Sequence, residues 1–290
     1  MQIKGKENEE MKKRIGVLLT VLLVAVCAFM LASCEGSTSE DRYSEGLVYQ
    51  LAQNDPYYVV TGIGTCTDSK VVIPRTYNDL PVKGIAKEAF KYNTSIYEIV
   101  IPDSAFAIGS EAFYHCKNLR KVTLPESLEY IYSSAFAYTP IESISLPRGL
   151  VELGDMAFWG CENLKSISIP AGVECIEKQC FDGCSSLKEV HFLGDVRWIN
   201  SFAFNGCISL REIELPRSLE KIDSYSFAEC TSLREITIPP NVSEISWGTF
   251  ADCPQLECVY NYSDVELFFR HFHNSDDSDT SMPVIINVGK

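Results

Sequence analysis

Apolar side chains recur along most of this chain at a fixed interval, and phenylalanine marks the interval most clearly. Successive phenylalanines in this series are 23 residues apart, except for one pair that is 22 residues apart. A fixed period of about 20 to 50 residues is typical of stacked supersecondary units, so the sequence predicts eight stacked units. The eight residues are Phe90, Phe113, Phe136, Phe158, Phe181, Phe204, Phe227 and Phe250.

Three further positions recur in every unit. Aliphatic residues stand eight and five residues before each phenylalanine, and a cysteine, asparagine or threonine stands three after it. If the units stack, all of these positions face one core. The aliphatic pairs are Val82 and Ile85, Ala105 and Ile108, Leu128 and Ile131, Leu150 and Leu153, Val173 and Ile176, Val196 and Ile199, Leu219 and Ile222, and Val242 and Ile245. The last column runs through Asn93, Cys116, Thr139, Cys161, Cys184, Cys207, Cys230 and Cys253.

Each unit opens with a stretch in which apolar and polar residues alternate, as at residues 233–239. Alternation with period two is typical of a strand with one buried face, and the proline that follows should end the strand because it cannot donate to a continuing ladder. One unit cannot bury its own apolar side, whereas eight units at the strand spacing of about 4.8 Å would enclose a core roughly 40 Å long. The predicted fold class is therefore a mainly β or α/β-type repeat solenoid. It has one parallel sheet and return segments that are irregular or form short strands.

The consensus LxxIxIPxxVxxIxxxAFxxCxxL over residues 57–262 resembles the BspA-like leucine-rich repeats of bacterial surface proteins. The leader at residues 57–67 is similar to the hairpin that caps such arrays. Two departures are modest: Leu193 stands where the strand-ending proline is expected, and Cys180 replaces the small alanine before Phe181. The resemblance implies a leucine-rich-repeat fold that serves adhesion or protein interaction at a cell surface, and it offers no catalytic residues to carry over.

The beginning of the chain has the layout of a secretory signal. Basic residues 12–14 precede an apolar run at residues 15–31, which ends in Leu31-Ala32-Ser33-Cys34. This ending resembles the bacterial lipobox, and the resemblance implies that Cys34 is lipidated and becomes the first residue of the mature protein. The alternative is a plain N-terminal membrane anchor with a chance cysteine. Because an acidic decapeptide ahead of the basic segment serves no export purpose, translation is expected to start at Met11.

These patterns divide the chain into five predicted segments. The last of them is expected to hold one or two turns of helix at residues 265–272 and a strand at residues 284–288, which would shield the open end of the final unit. The segments are the signal peptide at residues 1–33, a flexible tether at 34–42, an N-terminal cap hairpin at 43–81, the solenoid of eight units at 82–261 and a C-terminal cap at 262–290.

Composition excludes some functions. The formal net charge is −14, which argues against nucleic acid as a partner because phosphate binding needs clustered lysine and arginine. The chain lacks the nucleophile-elbow, zinc-protease and phosphate-loop motifs, so we predict neither an enzyme nor a cofactor. Contact with a membrane is expected through the lipid anchor alone, at an extracytoplasmic site in the cell envelope.

The recurring cysteines have three interpretations. Stacked positions lie close enough for disulfides, but parallel inward side chains do not aim their Cβ atoms at each other. A row of sulfurs also cannot offer tetrahedral coordination to a metal. Buried free thiols that replace the asparagine ladder of other repeats are therefore favoured. The state of Cys66, Cys175 and Cys258, which lie off the column, is left open.

A second group of possible metal ligands stands near the C-terminus. Two histidines stand two residues apart in a polar tail and precede several aspartates, and this pattern is more typical of a solvated loop than of a metal site. No metal is predicted. The residues are His271, His273, Asp276, Asp277 and Asp279.

The outward residues of the predicted sheet are free of packing constraints, so their identities report function or solubility. A hydroxyl patch gives way along the array to an acidic patch, which is the candidate partner site. Basic residues one position earlier would either neutralise the acids or bend away and leave them exposed to a cationic partner. The hydroxyl patch is Ser143, Ser145, Ser166 and Ser168, the acidic patch is Glu189, His191, Glu212, Glu214 and Glu235, and the basic residues are Lys165, Lys188, Arg211 and Arg234.

The expected function is that of an exported lipoprotein which binds a protein partner through the sheet of its solenoid. The alternative is a glycan-binding envelope lipoprotein for nutrient capture, which aromatic side chains on the sheet face would favour. Trp159, Trp198 and Trp247 occupy different positions in the repeat, so they do not predict a single aromatic stripe.

Overall fold

The computed structural model describes residues 43–272 and 283–288, which fold mainly into short strands and turns. The predicted signal peptide, Met11, Cys34, the tether and His273 with the aspartates that follow it lie outside the described residues. In chain order the strands are β1 (Val48–Leu51), β2 (Tyr58–Gly62), β3 (Lys70–Val72), β4 (Thr76–Tyr77), β5 (Leu80–Ile85), β6 (Glu98–Val100), β7 (Ala107–Ile108), β8 (Lys121–Thr123), β9 (Tyr130–Ile131), β10 (Glu152–Leu153), β11 (Ser166–Ile169), β12 (Cys175–Ile176), β13 (Glu189–Phe192), β14 (Trp198–Ile199), β15 (Lys221–Ile222), β16 (Glu235–Ile238), β17 (Glu244–Ile245), β18 (Cys258–Asn261) and β19 (Val284–Asn287).

The alternating stretches form the front sheet, which consists of three parallel pieces: β3-β6-β8, β11-β13 and β16-β18-β19. In β11 and β13, Ile167 stands opposite Val190, and both side chains are buried. The next pair, Ser168 and His191, points outward and is exposed. The predicted strand and its inward and outward alternation are therefore confirmed.

The front sheet is interrupted in two units, at residues 142–145 and 212–215, where no regular strand forms. The first interruption follows Pro140 in the unit that is 22 residues long. The second contains Glu212 and Glu214, so the expectation that these two glutamates lie on a regular strand is wrong. Like charges at the same position of neighbouring strands are unfavourable, which opposes close pairing with the glutamates of β13 and β16.

The return segments form a second, narrower set of parallel strands, the back sheet. It consists of β5-β7-β9-β10, which continues the N-terminal hairpin β1-β2, and of β12-β14-β15-β17. From β7 onward each strand is two residues long, and its inward residue is one of the recurring aliphatics, as where Ile176 pairs with Ile199. The solenoid thus has a second sheet besides the expected front sheet, because the return segments form short strands.

The phenylalanine column forms the centre of the core. All eight rings are almost completely buried. Adjacent rings stack with centroids 5.2 to 5.9 Å apart and planes within 15° of parallel. Phe272 adds a ninth ring, 5.7 Å from Phe250, although the sequence analysis placed it in the C-terminal cap. In that segment a 3-10 turn at Phe269–His271 forms in place of the expected longer helix, and β19 pairs in parallel with β18.

The cysteine column ties consecutive units together. Each thiol donates to the backbone carbonyl of a phenylalanine 25 or 26 residues earlier, as where Cys184 Sγ lies 3.2 Å from the oxygen of Phe158. The described cysteines are all free thiols. Burial raises the pKa of the Cys161 thiol to about 11. This column takes the place of an asparagine ladder, as predicted; in the first unit Asn93 accepts from the backbone of Ser95 and Ile96.

Each unit turns around its phenylalanine through two residues with positive φ, one two positions before the ring and one two positions after it. Glycine tolerates this left-handed conformation best, but glycine fills the later position only in Gly160, Gly183 and Gly206. The first three units place aromatic residues there instead. They are Tyr92, His115 and Tyr138, with φ between 55° and 61°.

Candidate partner-binding surfaces

The predicted acidic patch lies on the outward face of the front sheet. Glu189 and His191 belong to β13 and Glu235 to β16, and all three side chains are exposed. Glu212 and Glu214 are exposed as well, in the interrupted unit between those strands. Because units repeat every 23 residues, Glu189, Glu212 and Glu235 occupy the same position in consecutive units and form one acidic column.

The acidic side chains in the N-terminal half of the front face are paired with cations. Lys70 lies 3.3 Å from Glu98 of the neighbouring strand. Glu142 accepts from Lys165 at 2.9 Å and from Arg120 at 3.4 Å, and so bridges the units before and after its own. The hydrogen bond and charge of Lys165 hold the pKa of Glu142 below its usual value. In this half of the front face the cations neutralise the acids.

The C-terminal half of the same face behaves differently. Among the described residues, Lys188, Arg211 and Arg234 make no ion pair, and neither do the glutamates of the acidic column, apart from a 3.7 Å contact between Glu189 and His191. An acidic column and a basic column therefore run side by side without neutralising each other. Of the two alternatives, the cations thus do not neutralise the acidic column.

The hydroxyl patch lies in the same two units as Glu142 and Lys165. Ser143, Ser145 and Ser168 are exposed, and Ser166 is half-buried in β11. Within the described residues these four side chains form no hydrogen bond with the rest of the chain. The patch is therefore a neutral surface beside the Glu142–Lys165 ion pair.

A row of five aromatic residues, the aromatic row, crosses the turns of the first four units. It comprises Tyr92, Tyr114, His115, Tyr138 and Trp159. The His115 and Tyr138 rings stack with their centroids 4.4 Å apart, and the centroids of Tyr138 and Trp159 are 4.6 Å apart. At the other end Tyr92 lies 5.6 Å from Tyr114. The five rings are thus continuous, and Tyr92 is 61% exposed.

Charged groups fix the outer end of the aromatic row. The Lys91 ammonium lies over the rings of Tyr92 and Tyr114, at 5.6 and 5.5 Å from their centroids. The same ammonium contacts Glu111 at 2.6 Å, and this hydrogen bond raises the pKa of Lys91. Burial and the charge of Lys117 lower the pKa of His115, so this imidazole is a neutral ring near pH 7.

A surface notch of about 200 Å³ opens beside the aromatic row. It lies at the 22-residue unit, where one residue, Pro140, separates the column residue from the next aliphatic, while every other unit has two residues there. The missing residue leaves a gap between the flanking loops. The residues that face this gap include His115, Lys117, Tyr138, Pro140, Glu162 and Asn163.

The aromatic row was not predicted, because neither the tryptophans alone nor the outward residues of the front face indicate it. The available signal was the pair of positions directly after each phenylalanine, which are aromatic at one or both places in the first four units and not in the next four. The tryptophans are in different surroundings, as expected: Trp159 ends the aromatic row, Trp198 packs under Arg197 at 5.0 Å, and Trp247 contacts Tyr225 at 5.2 Å.

Within residues 43–272 and 283–288, no group of three or more histidine, cysteine, aspartate or glutamate side chains is placed to hold a metal ion. His271 is buried, and its Nδ1 accepts from the backbone of Phe268 at 2.8 Å. None of the helical segments among the described residues has the length and apolarity needed to span a bilayer.

Comparison with known proteins identifies the repeat. The family model described as "BspA type Leucine rich repeat region (6 copies)" matches residues 83–176 and 152–276. A leucine-rich-repeat protein of T. pallidum is similar in structure, with a TM-score of 0.56 and 26% identity over 75% of this chain and 91% of that one. One from Bacteroides ovatus has a TM-score of 0.54 and 24% identity over 77% of this chain and 71% of that one. No curated protein matches the chain significantly.

Proposed function

Because the chain belongs to the BspA-type leucine-rich-repeat family, a group of binding scaffolds suited to protein interaction, we propose that it is an exported lipoprotein that binds a protein partner at the cell envelope. Stacked repeats build extended surfaces whose outward residues vary without disturbing the core. The comparisons match the chain to no family of enzymes. The proposal therefore concerns where the protein is anchored and which surface meets the partner.

The single observation that supports a partner on the front face is the contrast between its two halves. Inter-unit charges are paired around Glu142, but the acidic column and its neighbouring basic column are left unpaired. Exposed ion pairs contribute only about 0.2–1 kcal/mol to stability, so leaving them unformed costs the fold little. Unpaired columns of charge steer a complementary partner and raise its association rate more than its final affinity.

The partner surface is tested with the double variant Glu212→Gln and Glu214→Gln in the full-length chain. Association with proteins captured from envelope and host extracts should slow at low ionic strength and change much less at high ionic strength. Glu152→Gln, an exposed acid on the back sheet, is the matched control and should have no effect. If the double variant associates as fast as the wild type at every salt concentration, the acidic column is only a soluble surface.

The lipid anchor is supported by the layout of residues 12–34 alone. Acyl chains attach a protein to a membrane by burying CH₂ groups at about 0.8 kcal/mol each. Metabolic labelling with an alkynyl fatty acid should mark the wild type and leave Cys34→Ser unmarked. Equal labelling of the two forms would contradict lipidation at this cysteine, and replacement of Met1 without loss of expression would support a start at Met11.

Glycan binding is the second candidate function, and the aromatic row is the observation that favours it. Tyrosine and tryptophan present an apolar ring together with a polar group, which suits ligands that are apolar on one side and hydrated on the other. The row lies on the turns beside the phenylalanine column and not on the front face, where aromatic side chains were expected to favour glycan binding. Protein and glycan can therefore bind different surfaces of one molecule.

A further inference from the structure

We propose that the notch beside Tyr138 binds one sugar ring of a glycan, an inference that rests on the second candidate function and gives it a site. The notch exists because the loop after Phe136 is one residue shorter than the equivalent loops. The adjacent loops keep their full length and supply Lys117 on one side and Glu162 with Asn163 on the other. The deletion thus creates a recess within a regular surface.

The size of the notch limits the ligand. Its volume of about 200 Å³ is below the range of roughly 300–1,000 Å³ that holds a drug-sized molecule. One six-membered ring with its substituents is of this order. Because the notch opens to the surface, that ring can be a terminal or branching unit of a longer chain that continues into solvent.

The chemistry of the notch matches the two sides of a sugar ring. A pyranose has a face of C–H groups and a rim of hydroxyls that each donate and accept hydrogen bonds. The side chains of Tyr138 and Pro140 offer apolar surface to the first. Lys117 can only donate, ionised Glu162 can only accept, and the Asn163 amide does both, so together they serve every hydroxyl orientation.

The polar side chains around the notch are available to a ligand. Among the described residues, Lys117, Glu162 and Asn163 form no side-chain hydrogen bond or ion pair, and Lys117 and Glu162 line the same notch without pairing. An apolar side chain of a protein ligand would displace water from these groups without offering them a hydrogen bond. Sugar hydroxyls would satisfy them.

The aromatic wall of the notch is held in place before any ligand arrives. Tyr138 stacks on His115 at 4.4 Å, contacts Trp159 at 4.6 Å, and lies over Gly160, where a Cβ atom would come within 2.6 Å of the ring. A side chain fixed in this way loses little conformational entropy on binding. The binding of a ligand against Tyr138 should also alter the fluorescence of the neighbouring Trp159.

The experiment is a screen of the full-length chain in detergent against an array of immobilised bacterial and mammalian oligosaccharides, followed by fluorescence titration with the free oligosaccharide that binds best. Two variants alter the notch. Insertion of one asparagine after Pro140 restores the common loop length and fills the gap, and Glu162→Gln removes the acceptor while leaving the loop intact. Both should weaken binding at least tenfold, whereas Trp247→Ala, in a separate aromatic contact, should bind as the wild type does.

The outcomes are distinct. Loss of oligosaccharide binding in both notch variants, with unchanged melting temperature for Glu162→Gln, supports the proposal. If no oligosaccharide binds the wild type, glycan binding and its site are both overturned. If an oligosaccharide binds and the two variants bind it equally well, glycan binding survives and the notch is overturned as its site. Binding of a protein ligand that is lost on filling the notch, without oligosaccharide binding, would assign the notch to a peptide instead.

Discussion

The thiol of Cys184 donates to the backbone carbonyl of Phe158, 26 residues earlier in the chain, across a distance of 3.2 Å. The two residues belong to neighbouring units, so the bond links the turn of one unit to the turn of the previous one. Cys207 makes the same contact with Phe181, and Cys230 with Phe204. Each of these carbonyls also accepts from a backbone N–H of its own unit, as Phe158 does from Cys161 at 3.1 Å. The thiol therefore adds a second donor, from the next unit, and so connects the two units.

The thiols of the cysteine column should be unreactive towards an alkylating reagent in the native protein. Burial raises the pKa of Cys184, Cys207 and Cys230 well above the usual value for a thiol, and the thiolate is the reactive species. Iodoacetamide at about pH 8 should therefore modify these three cysteines only after the protein is unfolded. Mass spectrometry of native and denatured samples measures the difference. Rapid modification of Cys184 in the native protein would show that the column is open to solvent.

Removal of one ring from the middle of the phenylalanine column should be costly. Phe181 is fully buried between Phe158 and Phe204, with centroid distances of 5.7 and 5.4 Å. Phe181→Ala should reduce the free energy of unfolding by roughly 3–5 kcal/mol because it leaves a cavity in the shared core. Denaturant unfolding provides the measurement. The control is Leu193→Ala, at a side chain that is 61% exposed. If Phe181→Ala reduces the free energy of unfolding no more than this control does, the surrounding core has closed the cavity.

The sequence predicted the buried columns because packing against neighbouring units restricts those positions to a few residue types. Phe272 escaped prediction, although it lies 22 residues after Phe250, because the residues around it lack the rest of the consensus. The ion pairs of Glu142 and the lack of an ion pair at Arg211 could not be predicted either. Long exposed side chains adopt many rotamers, and sequence spacing does not determine which one forms. The notch depended on a one-residue deletion whose effect on neighbouring loops is visible only in three dimensions.

The last turn of the array should respond to pH through His271. Its Nδ1 accepts a hydrogen bond from the backbone of Phe268, so the buried ring is neutral, and burial together with the charge of Arg270 lowers its pKa below 6.5. When a histidine has a lower pKa in the folded protein than in the unfolded chain, the unfolded chain binds more protons as pH falls below the unfolded pKa. The folded state therefore becomes less stable. The C-terminal turn should therefore become less stable between about pH 7 and about pH 5.

Hydrogen exchange of the backbone amides near Phe250 and Phe272 measures this effect on the last turn. His271→Asn keeps a side-chain acceptor in the same region but cannot titrate in this range. The wild type should lose protection as pH falls, relative to the variant, after correction for the intrinsic pH dependence of exchange. Parallel behaviour of the two proteins would exclude His271 as the responsible group.

The contact between Gly160 and Tyr138 permits a matched test of how the aromatic row is held. Gly160 has φ of +65°, and a Cβ atom there would lie 2.6 Å from the Tyr138 ring. Gly183 occupies the same position in the next unit with φ of +71°, but the nearest atoms to its Cβ are 3.7 Å away. Alanine at either position carries the cost of the left-handed backbone, about 1–2 kcal/mol. Only Gly160→Ala also forces the tyrosine ring to move.

Gly183→Ala should therefore lower the melting temperature modestly and leave Trp159 fluorescence unchanged. Gly160→Ala should lower the melting temperature further and shift the Trp159 emission, because Tyr138 loses its position against the indole. Adding Tyr138→Ala to Gly160→Ala should remove the extra destabilisation, since the three atoms nearest to the added Cβ all belong to the Tyr138 ring. If the two alanine variants have equal stability and equal emission, the tyrosine ring moves aside at no cost, and the row does not depend on glycine at this turn.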